Sequence, residues 1–402
     1  MTTVLKGDQR MNGGELVIEI RKAGFENKGA ELMLRAVLSR LRDTFPDAKF
    51  IMTPDTVEAP YEKRAGLRLL QKAYLPLLGL DFAWLFDLLP PRLLASYGII
   101  GAKNVDVIID AAGFAYTDQW GVSACSTLAN TARQAKKRGR LLILLPQAFG
   151  PFELASNQRS MAKVLENASL VFARDEVSYQ HLRSLKVNSS NILKSPDFTN
   201  TLCKDTSLGS KPDSRGVCLI PNYRMIDKVE AEEGNAYIEF MVCCVNYLIR
   251  NNLDPYLLVH EGSKDSELAA MINERSASRI RIIVESDALN IKEIIGQSHA
   301  IIGSRYHGLV NALSQGVPAL ATGWSHKYET LFEEYDCSDG LLDVSAGKHQ
   351  LYEVLDNFFS EGYRQTIVGN LAAKNIRFQR LTGDMWGVVE SLIVDHLKKK
   401  NS

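Results

Sequence analysis

Two doubly wound, Rossmann-like α/β domains facing each other across a cleft are the architecture this sequence predicts. Three observations carry that expectation. Apolar runs of strand length alternate with segments of helical spacing, the pattern of a parallel sheet covered on both faces. The chain has 402 residues, more than one hydrophobic core usually serves. A polar stretch, CKDTSLGSKPDSRG at 203–216, interrupts the alternation, which then restarts. The expected division is a first domain over 1–205, a second over 206–372, and a terminal helix over 373–402 that packs back on the first.

In order, ELVIEIRKAG (15–24) reads as a short strand. The helix after it carries Leu32, Val37, Leu38 and Leu41 near helical spacing. KFIMT (49–53), NVDVIIDAAG (104–113), RLLILLPQAFG (140–150) and SLVFARD (169–175) follow as strands, with helices over 122–137 and from 176 to about 185. Past the linker come GVCLIPN, a helix around 237–250, DPYLLVHEG, RIRIIVE, HAIIGS and VPALATG, then a largely helical tail from about 361 to 400. Residues 66–101 break the alternation, being unusually apolar and aromatic with Arg68, Lys72, Asp81, Asp87 and Arg92 interspersed. They read as a pair of helices packed on the first domain. The sharper alternative is a membrane-interface patch, since Trp84 and Phe86 beside basic residues suit that location.

Charge excludes some partners. Lys plus Arg and Asp plus Glu both number 47, so no global field draws the protein to nucleic acid or to a membrane, and any anion site must be built locally. The cysteines at 125, 203, 218, 243, 244 and 337 show no metal spacing and read as reduced core thiols. No secretory layout opens the sequence, and no apolar run reaches the roughly 20 residues of a membrane span. The expectation is a cytoplasmic protein without a nucleic-acid partner, peripheral at the inner membrane face if 66–101 is an interface patch.

The chemistry concentrates in IIGSRYHGLVNALSQGVPALATGWSHKYETLFEEY, 301–335. A strand ends at Ser304, and Arg305 and His307 stand where a helix begins; Lys327 stands at the start of the next helix. Helix N-termini attract anions, and a guanidinium adds a two-point donor. Singly, such residues are usually a surface ion pair, a hydrogen-bonded structural histidine and a solvated lysine. At successive strand ends they point to one anion-binding cleft. Strand-end loops of the second domain add Asn222 and Arg224 in PNYR, and His260 and Asp265 in HEGSKD. His181 and His349 read as surface residues.

SRYHGLVNALSQGVP followed by GWSHK resembles the Arg-x-His, Ala-x-x-x-Gly-x-Pro and downstream Lys pattern of the polysaccharide pyruvyl transferase family. GFENKGAELML (24–34) is similar to the family's N-terminal Gly-x-x-Asn-x-Gly loop, PQAFGPF (146–152) to its Gln-x-x-Gly-Pro segment, ARDEVSYQHL (173–182) to its Arg-Asp-x-x-Ser helix start, and SPDFTN (195–200) to its Pro-Asp turn. The resemblance spans about 24–335. It departs at DAAGF (110–114), where relatives tend to carry a run of glycines and only Gly113 keeps the freedom for close backbone approach.

The resemblance implies a GT-B-like fold and transfer of the enolpyruvyl carbons of phosphoenolpyruvate to two sugar hydroxyls as a ketal, with phosphate released. The acceptor would be a sugar, a lipid-linked saccharide or a glycan, and no metal or redox cofactor is implied. In that reaction Arg174, Arg305 and Lys327 are the expected clamp on the doubly anionic donor. His307 is the expected general acid, because imidazole titrates near neutral pH, with His326 as substitute. Asn27 either touches the acceptor or organises the cleft, unless it is a plain helix cap. The rival reading is a glycosyltransferase with a nucleotide-sugar donor, in which Glu329 would bind a ribose. A third is a family member that has lost catalysis.

Overall fold

The computed structural model describes residues 15–77, 80–81, 83–187, 190–202, 216–227, 230–323 and 326–401. The linker expected at 203–216 lies outside them except for Gly216, as does Cys203.

The first half runs β1 (Val17–Arg21), α1 (Lys28–Thr44), β2 (Lys49–Met52), α2 (Tyr61–Gly66), β3 (Leu70–Lys72), β4 (Pro76–Leu77), β5 (Leu80–Asp81), α3 (Pro91–Ser96), β6 (Ile99–Ile100), β7 (Val107–Asp110), α4 (Ser123–Lys137), β8 (Leu141–Gln147), α5 (Ala155–Asn167), β9 (Leu170–Ala173), α6 (Glu176–Ser184) and β10 (Ile192–Lys194). The second runs β11 (Gly216–Ile220), α7 (Arg224–Asp227), α8 (Ala231–Arg250), β12 (Asp254–Val259), α9 (Gly262–Arg275), β13 (Arg281–Val284), α10 (Ala288–Gly296), β14 (Ala300–Gly303), α11 (Tyr306–Leu313), β15 (Ala319–Ala321), α12 (His326–Glu334), α13 (Lys348–Phe358) and α14 (Glu361–Asn401).

Two parallel sheets result, in the orders β10-β9-β8-β7-β1-β2-β3-β6 and β13-β12-β11-β14-β15. Every residue of β7, β8, β9, β11 and β14 is buried, which is why those runs are apolar without alternation. In both sheets the direction of winding reverses, between β1 and β7 in the first and between β11 and β14 in the second. Ligands of doubly wound sheets bind outside the strand ends at such reversals. The loops after β1, β7, β11 and β14 hold Asn27, Gly113, Asn222 and Arg305, with His307 in the first turn of α11 that follows.

Residues 66–101 correct the helix-pair expectation. They supply the two outer strands, β3 and β6, a separate β4–β5 hairpin, a 3-10 turn at Ala83–Leu88 and only the short α3. Proline is the cause: Pro76, Pro90 and Pro91 each remove a donor, so no long helix can run through. The side chain of Trp84 lies outside the described residues, and Phe86 is half-buried.

Contacts between described residues join the two halves beside α1 and α10. The Lys28 ammonium donates to the Ser286 carbonyl at 2.6 Å, and Lys292 to the Thr199 carbonyl at 2.7 Å. Arg35 pairs with Asp287 at 2.6 Å. The 41-residue α14 bridges both cores: Ile367, Leu371 and Phe378 pack in the second domain, while Met385, Trp386, Val389 and Ile393 enter the first. Trp386 meets Phe198 edge to face at 5.9 Å.

Candidate active site

The site is built where α1 and α11 start, facing each other. Asn27 caps α1: its Oδ1 accepts from the backbone N–H of Gly29 at 2.9 Å and of Ala30 at 3.1 Å. Its Nδ2 crosses to the second domain and donates to Glu261 Oε1 at 3.1 Å. The residue is therefore both a cap and a link across the cleft. Opposite it, His307 lies so close to α1 that a Cβ on Gly29 would fall 2.0 Å from its Nδ1.

His307 is half-buried, but its Nε2 is sealed and has no hydrogen-bond partner among the described residues. Burial depresses the imidazole to about 4, with Arg174, Lys327 and Lys292 adding to the effect against the opposing pull of Asp197. This corrects the expectation of titration near neutrality. Burial, reinforced by cations of both domains, thus favours the neutral ring at pH 7.

Lys327 is half-buried at the start of α12, with its Nζ 5.1 Å from the Tyr306 ring, 5.3 Å from that of Tyr328 and 5.7 Å from that of Phe114. Burial, then Arg174 and Arg305, lower it to about 8. Arg174 is buried, its guanidinium 4.6 Å from the Tyr306 ring centre and 3.4 Å from Asp197. Two cations thus sit against one phenol ring.

Arg305 does not present the two-point face expected of a donor clamp. Asp265 takes it, accepting from Nε at 2.9 Å and Nη2 at 2.6 Å, while Nη1 bonds Glu261. Asp265 is fully buried and also accepts from the Tyr223 N–H at 3.0 Å. Glu261 is pushed upward by burial against the pull of Arg305, with Asp265 adding to the rise. Beneath lies a closed polar net. Asn222 Nδ2 donates to the Ser304 carbonyl at 2.8 Å, Tyr328 donates to the same oxygen at 2.9 Å, and the Ser304 hydroxyl meets Tyr237 and Thr322 at 2.9 and 2.6 Å.

Other expected residues divide. His260 is buried with its Nε2 unpartnered, and burial, then Arg305, His307 and Lys28, hold it well below the ordinary range. Arg224 is exposed and pairs with Asp227 at 2.6 Å. Gly113 has φ +66° and lies against Met33, so it shapes the loop that brings Phe114 to Lys327. Glu329 is exposed, and the His326 side chain lies outside the described residues. His349 is exposed, but His181 is not a free surface residue: it is half-buried, with Nδ1 bonded to the Phe149 carbonyl at 2.8 Å.

Sequence reasoning missed Asp197, Glu261, Lys292 and Phe114 as members of this group. Asp197 had a signal, since it lies in the SPDFTN turn and meets the arginine of ARDEVS. Asp175 of that second motif caps α6 by accepting from the Ser178 N–H at 2.6 Å, and Ser178 accepts from the Phe149 N–H at 3.0 Å. Among the described residues no group of His, Cys, Asp and Glu is arranged to hold a metal ion. No helix there is long and apolar enough to cross a membrane.

Known structures share this fold. A UDP-N-acetylglucosamine 2-epimerase from Neisseria meningitidis, solved with UDP-GlcNAc, superposes with a TM-score of 0.56 at 11% identity over 94% of this chain and 99% of its own. Anabaena HepE in complex with UDP-glucose gives 0.56 at 14% over 96% and 100%. A putative 2-epimerase from Listeria monocytogenes gives 0.56 at 13% over 89% and 91%. These likenesses show a GT-B-like, two-domain fold. No curated protein matches the chain. The family model for polysaccharide pyruvyl transferase matches residues 27–326, from the cap of α1 to the start of α12, and the chain belongs to that family.

Proposed function

We propose that the protein moves the pyruvyl group of phosphoenolpyruvate onto two hydroxyls of a sugar as a cyclic ketal, releasing phosphate, in the synthesis of a cell-surface glycan. The observation that carries this reading is that Arg174 and Lys327 act on the His307 imidazole at the meeting of α1 and α11, with Arg305 acting in turn on Lys327. Cations held in a buried setting, where charge interactions are strong, favour a small dianion that can exchange with the carboxylates now paired to them. The first domain would offer the acceptor side and the second the donor side.

The chemistry requires a proton on the methylene carbon, which leaves a cationic centre at the adjacent carbon. One hydroxyl adds there; the second displaces phosphate. Two hydroxyl protons are lost; one is balanced by the new methyl group and one leaves with phosphate. His307 is the proposed proton carrier. A dianion beside it cancels the cations and works against the effect of burial, so the imidazole takes up a proton as the donor binds. Lys327 grips the donor, and its carboxylate exchanges with Glu261 on Arg305 Nη1. Glu261, beside Asn27, then serves as base for an acceptor hydroxyl. The steps as written use no metal or redox cofactor.

The rival, a nucleotide-sugar glycosyltransferase, has the UDP-sugars of the Neisseria and Anabaena neighbours on its side. One assay separates them. With phosphoenolpyruvate and a glycan acceptor, stoichiometric phosphate release with a pyruvate ketal in the product supports the proposal; nucleotide release from a sugar nucleotide, with no phosphate from phosphoenolpyruvate, overturns it.

A further inference from the structure

The edge of the first sheet opposite the cleft carries a second concentration of charge. Strands β1, β2, β6, β7 and β8 begin near it, and a cavity of about 690 Å³ there is lined by Lys103, Arg138, Arg140, Lys399 and Lys400 as well as His396, with Asp106 as the acid. An adjoining groove shares Lys103 and Lys400 and is floored by Leu94, Ala95, Ile99 and Ile100. Lys49 in that groove is paired with Glu15, and Lys400 with Asp106. Together the two linings hold six Lys and Arg against two acids, in a chain whose total charge is zero.

Beside this basic hollow the protein exposes large apolar side chains. The 3-10 turn Ala83–Leu88 packs on the turn Ala102–Asn104 that holds Lys103. From that turn and from α3, Leu88 is 74% exposed, Leu93 47% and Tyr97 75%. Large apolar side chains exposed to this extent cost solubility unless a partner covers them. Exposed leucines and a tyrosine beside clustered Lys and Arg match the layered chemistry of a bilayer surface, where phosphates lie above hydrocarbon.

We infer that this face docks on an anionic lipid bilayer, with Leu88, Leu93 and Tyr97 entering the headgroup–acyl boundary and Lys103, Arg138, Arg140 and Lys399 facing the headgroup phosphates. A free phosphate would use the cations and leave the leucines unexplained. The catalytic cleft then faces away from the membrane, because it lies at the opposite strand ends, and the seven-residue β8 alone spans roughly 23 Å. Such an orientation suits an acceptor whose sugar end stands out from the lipid. Nothing in this inference depends on the donor chemistry.

The test is flotation of the full chain with phosphatidylcholine vesicles, with and without phosphatidylglycerol. The wild type should float with the anionic vesicles and be released in part, not wholly, by salt. Arg138→Ala with Lys399→Ala should weaken binding about 25-fold, at about fivefold per cation. Leu88→Ser with Tyr97→Ser should abolish the salt-resistant part, and both pairs should keep the wild-type melting temperature. Wild-type chain that stays unbound, binds neutral vesicles equally well, or floats no better than the variants overturns the inference.

Discussion

The imidazole of His307 rests on Gly29, whose missing side chain is the space the ring fills. Gly29 lies in α1 without a left-handed backbone, so the requirement is for room, not conformational freedom. Alanine there favours the helix itself by about 1 kcal/mol, yet its Cβ must expel the ring. Gly29→Ala should leave the fold intact and lower kcat by at least about tenfold with donor KM little changed. His307→Ala should cost about 10²–10⁴ in kcat, the span of a general acid–base group, while donor binding persists. Steady-state kinetics check both; wild-type turnover in either variant removes His307 from the mechanism.

The lowered ammonium of Lys327 sets the upper pH limit of donor binding. With a value of about 8, it is charged at pH 7 and loses its proton in the next two pH units. Donor affinity should therefore gain an added downward slope above about pH 8, beyond the slope that proton uptake by His307 imposes below it. Lys327→Arg should move the fall out of the accessible range, and Lys327→Met should weaken binding throughout and remove the step. Calorimetric titration across that range reads it. His307 adds a second signature: proton uptake on binding, visible as a dependence of the measured heat on buffer ionisation enthalpy.

The alternating architecture was legible because parallel strands buried on both faces must be largely apolar, as β14 is throughout and β8 is up to its final Gln147. Asn27, Arg305, His307 and Lys327 were legible because each stands at a strand–helix junction. What the letters do not carry is partnership. Arg305 looks identical in sequence whether it faces a ligand or is held by Asp265, 40 residues away. The depressed imidazole was illegible for the same reason, since Arg174, Lys292 and Lys327 converge on it from three separate elements. In 66–101 the two- and three-residue strands β3 and β6 are too short for any periodicity to register.

Glu334, at the end of α12, is raised to about 7 by burial and by Asp175, against the pull of Arg174. In the unfolded chain it ionises near 4.5. Between those values the folded protein holds a proton that the unfolded chain releases, so this group makes stability fall as pH rises through that window. His307, depressed from 6.5 to about 4, acts in the opposite sense over about the same range and masks it. Glu334→Gln should raise stability by about 1 kcal/mol at pH 8, below the roughly 3 kcal/mol ceiling of the full shift, and change little at pH 4. Thermal melts at the two pH values check the difference.

Arg305 combines framework and site, and two variants separate the parts. Arg305→Lys keeps the charge but loses the planar grip on both oxygens of Asp265. Since Asp265 is fully buried, part of its desolvation is left uncompensated, and stability should fall by about 2 kcal/mol, short of the 3–5 kcal/mol expected when a buried partner is removed outright. Turnover should also drop, because the donor carboxylate loses the Nη1 position that Glu261 holds before it binds. Arg305→Met combined with Asp265→Asn removes both charges and keeps an acceptor for the Tyr223 N–H. That pair should regain most of the stability in a denaturant titration without regaining activity. Recovery of both would mean that Arg305 serves Asp265 alone and takes no part in holding the donor.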